Sequence, residues 1–224
     1  MFESLKRSDL PLIHKAVLRR ATSTRPTIWI VEEKGVRAVV KDFSGNRALF
    51  RHTAGRFLVW REKRAYRKLQ GLAGVPRLYR VLDGLALVLE EIPARSVEKL
   101  EREMVLPESF FEALEDLVRR IHERGLAHCD LKRAPNVLLG RDGLPYIVDW
   151  GASISKGECR LPPFNLIYRR FLRDDEDAVT KLKLRHLPHR VSSERLRRYR
   201  HRGLGERIVR GIRDRLRDWL QKVA

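Results

Sequence analysis

Residues 127–151, AHCDLKRAPNVLLGRDGLPYIVDWG, constrain this chain more than any other stretch, because they order two aspartates and an asparagine around one hairpin. Val137-Leu138-Leu139 and Tyr146-Ile147-Val148 are apolar runs of strand length, and Arg141-Asp142-Gly143 between them is a turn signal. A hairpin brings its ends together, so Asn136, which opens the first run, and Asp149, which closes the second, are expected side by side. Asp130 lies in the preceding loop, close to both. An amide oxygen and a carboxylate suit a hard Mg²⁺ ion, which takes oxygen ligands and leaves part of its shell to phosphates and water. Asp130 then remains to orient a hydroxyl and accept its proton. The competing reading is a hairpin with solvated polar ends, in which Asp and Asn serve only as turn residues.

His128-Cys129-Asp130, Asn136 and Asp149-Trp150-Gly151 resemble the HRDxxxxN and DFG signatures of protein kinases. Five residues rather than four separate Asp130 from Asn136, and Trp150 stands where Phe is usual. With the compact chain, these departures look like the lipopolysaccharide-core kinases (Kdo and heptose kinases) and the related RIO-like kinases of bacteria. The resemblance implies an α+β, small bilobal fold: an antiparallel β-sheet N-lobe with one αC-type helix over residues 1–91, and a helical C-lobe over residues 92–224. It implies ATP and Mg²⁺ as cofactors, Asp130 as base, Asn136 and Asp149 as metal ligands, and Lys132 as the cation that reaches the transferred phosphate. Arg133, adjacent to Lys132, could substitute for it. The implied acceptor is a hydroxyl of a lipopolysaccharide-core sugar, with a protein hydroxyl, as in a RIO-like serine/threonine kinase, as the alternative. A third reading is a catalytically dead scaffold that binds anionic partners.

The upstream half supplies further parts. Thr27-Ile28-Trp29-Ile30-Val31 and Val36-Arg37-Ala38-Val39-Val40 read as a hairpin, and Lys41 ends its second strand. Ala38-Val39-Val40-Lys41 resembles the kinase VAIK segment, whose lysine neutralises phosphate oxygens and pairs with a helix glutamate. Residues 56–72 have apolar Phe57, Leu58, Trp60, Ala65, Tyr66, Leu69 and Leu72 at roughly helical spacing, and Glu62 is the only acid there among six basic residues. Glu62 is therefore either the partner of Lys41 or a member of a surface ion pair. Residues 77–82 and 85–91 read as another hairpin with an Asp83-Gly84 turn, followed by a crossover at Ile92-Pro93-Ala94-Arg95-Ser96. An adenine ring needs main-chain donors and acceptors in an apolar cleft, which places its binding segment at Glu90, Glu91 and Ile92. No glycine occurs between Met1 and Lys34, so a GxGxxG loop is absent; either residues 20–27, RATSTRPT, take its place with hydroxyls, amides and arginines, or nucleotide handling has been lost.

Residues 107–125 form a predicted helix that buries Phe110, Phe111, Leu114, Leu117, Val118 and Ile121 and leads into the catalytic loop. Further helices are predicted at about 173–185, 192–201 and 206–223, with Asp174-Asp175-Glu176-Asp177 at the start of the first, where carboxylates favour the helix dipole. Only 73 residues follow Gly151, too few for a full set of peptide-docking helices. The chain carries 48 Lys and Arg against 29 Asp and Glu, a formal charge of +19. From Lys181 onward the count is 15 basic against 4 acidic residues, or +11. Such a surface attracts phosphate-rich partners: an anionic bilayer or a phosphorylated glycolipid, with nucleic acid ranked behind them. Residues 206–223 set Ile208, Ile212, Leu216, Trp219, Leu220 and Val223 along one side and arginines along the other, as a membrane-surface helix or a helix packed on the C-lobe. Two cysteines, Cys129 and Cys159, give no disulfide framework, and no apolar run reaches the length of a membrane span. These features point to the cytoplasm, with peripheral contact at the inner face of the inner membrane.

Overall fold

The computed structural model describes residues 2–200, and the predicted helix at 206–223 lies outside them. The chain is α+β and divides into two compact units. The first runs to Gly71 and resumes over Pro76–Ile92, and the second comprises Leu72–Val75 and continues from Pro93.

The first unit is built on a five-stranded antiparallel sheet: β1 (Ala16–Arg19), β2 (Thr27–Glu33), β3 (Val36–Asp42), β4 (Leu78–Leu82) and β5 (Ala86–Glu90), in the order β1-β2-β3-β5-β4. Two of its turns rest on left-handed residues, Lys34-Gly35 at φ 52° and 77° and Asp83-Gly84 at φ 52° and 66°. Positive φ at both central residues matches the right-handed twist of the strands they join, and glycine takes the second position without a Cβ penalty. Alternation then sorts the side chains. Ala38, Val40, Ala86 and Val88 are buried in one cluster with Val31 and with Phe2, Leu5 and Leu10 of the N-terminal segment, which was not anticipated as a sheet cover. Lys41, one residue out of phase with Val40, meets instead the helix α1 (Arg56–Lys68), which packs on β4 and β5.

The register of α1 differs from the expected one. Its buried residues are Val59, Glu62, Ala65 and Tyr66, whereas Phe57 and Trp60 are about half exposed. Both rings face solvent beneath arginines: the Arg61 guanidinium lies 5.8 Å from the Phe57 ring centre and that of Arg64 4.7 Å from the Trp60 ring centre. An exposed ring covered in this way loses less to water, so aromatic identity did not report burial.

In the second unit a short strand β6 (Ala94–Ser96) pairs with β8 (Val137–Gly140), and β8 pairs with β9 (Pro145–Ile147). The expected non-periodic crossover is therefore shorter than 92–96, because residues 94–96 find their strand partner at residues 138–140, a distant pairing that local pattern does not reveal. Helix α2 (Glu108–Glu123) buries Phe110, Phe111, Leu114, Leu117, Val118 and Ile121, the face read from its periodicity. It packs against α3 (Phe164–His186), and α4 (Ser193–Arg200) follows. The paired strands β7 (Leu126–Ala127) and β10 (Ile154–Ser155) fix the chain just before Asp130 against the chain just after Asp149.

Helix α3 corrects the sequence reading. It begins at Phe164, nine residues before the expected start, so Asp174-Asp175-Glu176-Asp177 lies in its middle and does not cap its N-terminus. Lys183, one of the basic residues counted from Lys181 onward, is buried, with its Nζ 3.7 Å from Glu115 Oε1 and 3.9 Å from Glu108 Oε1. Among the described residues no helix is long and apolar enough to cross a membrane, and neither cysteine is in a disulfide.

Candidate active site

In the first unit the pairing anticipated for Lys41 is present. Its Nζ lies 2.8 Å from Glu62 Oε2, with the lysine side chain 12% exposed and the glutamate 1%. Strand alternation turns Lys41 toward α1, and the buried stripe of that helix presents Glu62 to it. A carboxylate removed from water to this degree is tolerated only with a cation at hydrogen-bond distance, so the pair fixes the position of the ammonium. The loop that joins β1 to β2, residues 20–26, is the glycine-free segment. Thr22 N donates to Arg25 O (3.0 Å), Arg25 N to Thr22 Oγ1 (3.2 Å) and Ala21 N to Thr27 Oγ1 (3.1 Å), so hydroxyls and main-chain groups close it as a compact turn.

Glu90 closes β5, and Glu91 and Ile92 follow at the point where the chain leaves the first unit. The Glu90 carboxylate accepts from Arg77 N at 3.0 Å, and Glu91 pairs with Arg37 at 2.7 Å. Both side chains are thus committed to neighbours, and the main chain is what this segment can offer a ligand.

The second unit gathers Asp130, Asn136 and Asp149. Pairing of Val137 with Ile147 and a bond from Val148 N to Asn136 O (3.0 Å) bring Asn136 beside the strand end that leads into Asp149. The buried Asn136 amide donates from Nδ2 to Asp130 O at 3.0 Å, and Nδ2 is 3.5 Å from Asp130 Oδ2. That bond ties the loop to the hairpin and turns the amide oxygen away, as the atom that could ligate a cation. The Asp149 side chain is exposed, on a backbone at φ 68°, ψ 70°. Among the described residues five non-glycines take positive φ: Phe2, Lys34, Asp83, Cys129 and Asp149. Lys34 and Asp83 are hairpin turns and Phe2 is near the terminus, which leaves Cys129 and Asp149 with no turn to explain them. A strained backbone of this kind costs roughly 1–3 kcal/mol and persists only where the surroundings over-determine it.

The surroundings are visible. His128 is 1% exposed and its ring centre lies 4.6 Å from that of the fully buried Trp150, the two planes tilted by 60°. Its Nδ1 accepts from Asp130 N (3.2 Å), so Nε2 carries the hydrogen and donates to Val148 O (3.0 Å). One imidazole thereby links the Asp130 loop to the residue before Asp149. Beneath it sits Asp175 of α3, 1% exposed, which accepts from His128 N (2.7 Å), Cys129 N (3.0 Å) and His122 Nε2 (3.2 Å). Sequence reasoning missed this role. The only signal was a run of four acids in a basic chain, and nothing local shows which of the four faces inward.

The remaining candidates stand at the edge. Lys132 Nζ is 3.6 Å from Asp174 Oδ1, an atom that also accepts from Arg170 Nη2 at 3.0 Å. Arg133 Nε lies 3.3 Å from Asp130 Oδ2. Two cations therefore flank the loop, Arg133 against the carboxylate itself and Lys132 held against α3. Among the described residues no group of three or more His, Cys, Asp or Glu is disposed to hold a metal ion. Asn136 and Asp149 form a sparser donor set, the kind that completes a Mg²⁺ shell only together with phosphate oxygens. No protein-family model matches the chain, and a search of curated proteins found no relative.

Proposed function

We propose that the chain is an ATP- and Mg²⁺-dependent kinase of the small bilobal, protein-kinase-like type, transferring the γ-phosphate to a hydroxyl, with a sugar of the lipopolysaccharide core as the preferred acceptor. The observation that carries the reading is the union of Asp130, Asn136 and the left-handed Asp149 in one braced cluster. The buried Lys41–Glu62 pair supports it from the first unit. In this reading the main chain at Glu90, Glu91 and Ile92 would hold the adenine and Lys41 would neutralise phosphate oxygens, while Asn136 and Asp149 would hold Mg²⁺, which would supply charge compensation for the phosphates. The acceptor oxygen forms its bond to the γ-phosphorus as the bond to the β–γ bridging oxygen breaks, its proton passes to Asp130, and ADP leaves. Lys132 or Arg133 offsets charge on the equatorial oxygens.

The preference for an anionic acceptor near a membrane rests on charge. The outer face of α1 carries Arg56, Arg61, Arg64, Arg67 and Lys68 with Phe57 and Trp60, and the only acid of that helix, Glu62, points inward. Cations interleaved with aromatic rings suit an anionic lipid surface. The test offers γ-labelled ATP with purified lipopolysaccharide core and, in parallel, a mixed protein substrate. Label on the core sugar is expected, label on protein alone would replace the acceptor by a serine or threonine, and no label on either would overturn the kinase reading.

A further inference from the structure

The loop at residues 20–26 has no glycine, yet its backbone is drawn tightly inward by one side chain. Asn46 is 4% exposed, and its Nδ2 lies 2.7 Å from Thr22 O, 3.2 Å from Ser23 O and 3.0 Å from Arg25 O. Carbonyl oxygens only accept, so the nitrogen of the amide must face them, and the orientation is fixed by chemistry. Asn46 Oδ1 has no partner among the described residues, so the side chain serves as donor alone. The turn that presents it is itself rigid: Asp42 accepts from Ser44 N (2.9 Å) and Ser44 Oγ (2.8 Å), and Arg51 Nη1 donates to Ser44 O (3.0 Å). This turn continues directly from β3, the strand that carries Lys41.

Three carbonyls gathered on one amide leave the other polar edge of the loop to donors. The main-chain amides and hydroxyls of Ser23 and Thr24 have no hydrogen-bond partner among the described residues, and Arg20 and Arg25 are exposed beside them. Consecutive unengaged N–H groups with hydroxyls and cations nearby form the type of concavity that binds phosphate oxygens. We propose that Asn46 is the positioning residue of an oligophosphate-binding loop whose contacting groups are Ser23 and Thr24. A glycine-rich loop approaches phosphate because it lacks side chains; this loop does so because a buried amide pulls its carbonyls to the opposite side. The inference rests on the nucleotide reading above, and it assigns the phosphate contacts of the first unit to residues that no glycine pattern marks.

The experiment measures Mg-ATP and adenosine binding to the full chain by titration calorimetry, for wild type and Asn46→Asp. The aspartate keeps the shape, removes both donors and sets a negative oxygen against three carbonyls. Mg-ATP affinity is expected to fall at least tenfold while adenosine affinity stays within twofold, a split that general loosening of the sheet would not produce. Equal loss for both ligands, or Mg-ATP affinity within twofold of wild type, overturns the role of Asn46. Should Asn46→Asp fail to fold, hydrogen exchange on wild type decides: Mg-ATP must slow the Ser23 and Thr24 amides and adenosine must not, and unchanged exchange with Mg-ATP overturns the proposal. A wild type that binds adenosine but no Mg-ATP, or neither, removes the nucleotide-phosphate reading and the loop assignment with it.

Discussion

Asp175→Ala is the perturbation that the structure makes most quantitative. The carboxylate is 1% exposed and serves three donors, His128 N, Cys129 N and His122 Nε2, at 2.7, 3.0 and 3.2 Å. Each buried donor left without an acceptor costs about 1–3 kcal/mol. Cys129 and His122 are only partly buried, so water can replace some of what they lose. The expected total is therefore roughly 3–5 kcal/mol, in the range measured when one partner is removed from a buried charged contact. Against a typical stability of about 5–15 kcal/mol the variant should still fold, with a clearly lower urea midpoint. The effect should also be local. Cys129 holds φ 67° because its N–H and that of His128 are pinned, and once the pin is removed the residue can relax and carry Asp130 with it. Hydrogen exchange at His128 and Cys129 should accelerate well beyond the average of the second unit, and phosphoryl transfer should fall more than Mg-ATP affinity. Asp175→Asn, which keeps one acceptor oxygen, should lie between. A stability within about 0.5 kcal/mol of wild type by urea titration, or unchanged exchange at those two amides, would refute the argument, since ordinary surface changes stay inside that limit.

Lys41→Met and Glu62→Gln should each cut transfer, and the double variant should cost little more than the worse single one, because the pair acts as a unit; additive losses in a double-mutant cycle would show that the two do not cooperate. His186 titrates below its ordinary value of 6.5, chiefly because burial disfavours its charged form, and its Nδ1 accepts from Leu106 N at 3.2 Å. Its folded value being the lower, its contribution is complete above about pH 6.5 and is lost as the pH falls toward the folded value, so His186→Gln should flatten the stability profile below pH 6.5 in urea titrations. Burial also pushes the Tyr168 hydroxyl up to about 12, and its oxygen has no partner among the described residues. Tyr168→Phe should therefore leave thermal stability unchanged or raise it by about 1 kcal/mol, and a loss of more than about 1 kcal/mol would mean that the hydroxyl is satisfied by a group yet to be identified.

What could be read from sequence follows from the range of the forces involved. The hairpins at Lys34-Gly35 and Asp83-Gly84 were legible because turn chemistry is local, and the buried face of α2 was legible because its six apolar residues repeat at helical spacing. The pairing of Lys41 with Glu62 was legible only as one of two readings, because a single acid in a basic helix fits a surface ion pair equally well, and the burial of Glu62 decides between them. Contacts between distant segments were not legible. Asp175 meets its amide partners 46 and 47 residues away, and Asn46 meets three carbonyls 21 to 24 residues away, neither marked by any periodicity. The early start of α3 escaped because Arg169, Arg170 and Arg173 alternate with apolar residues at its N-terminal end, which blurs the apolar stripe. The N-terminal cover of the sheet by Phe2, Leu5 and Leu10 escaped for the opposite reason, being three apolar residues in a segment too short and irregular to carry a period.

The central claim is that Asp130, Asn136 and Asp149 together serve phosphoryl transfer from Mg-ATP. The measurement that addresses it most directly is Mg-ATP binding and γ-phosphate transfer compared across wild type, Asp130→Ala, Asn136→Ala and Asp149→Ala. Asp149→Ala should abolish turnover and weaken nucleotide binding only when Mg²⁺ is present. Asp130→Ala should stop transfer with nucleotide affinity nearly intact, and Asn136→Ala should fall between them and recover in part at high Mg²⁺. Transfer by either aspartate variant at the wild-type rate, or nucleotide binding in the wild type that is indifferent to Mg²⁺, would contradict the account.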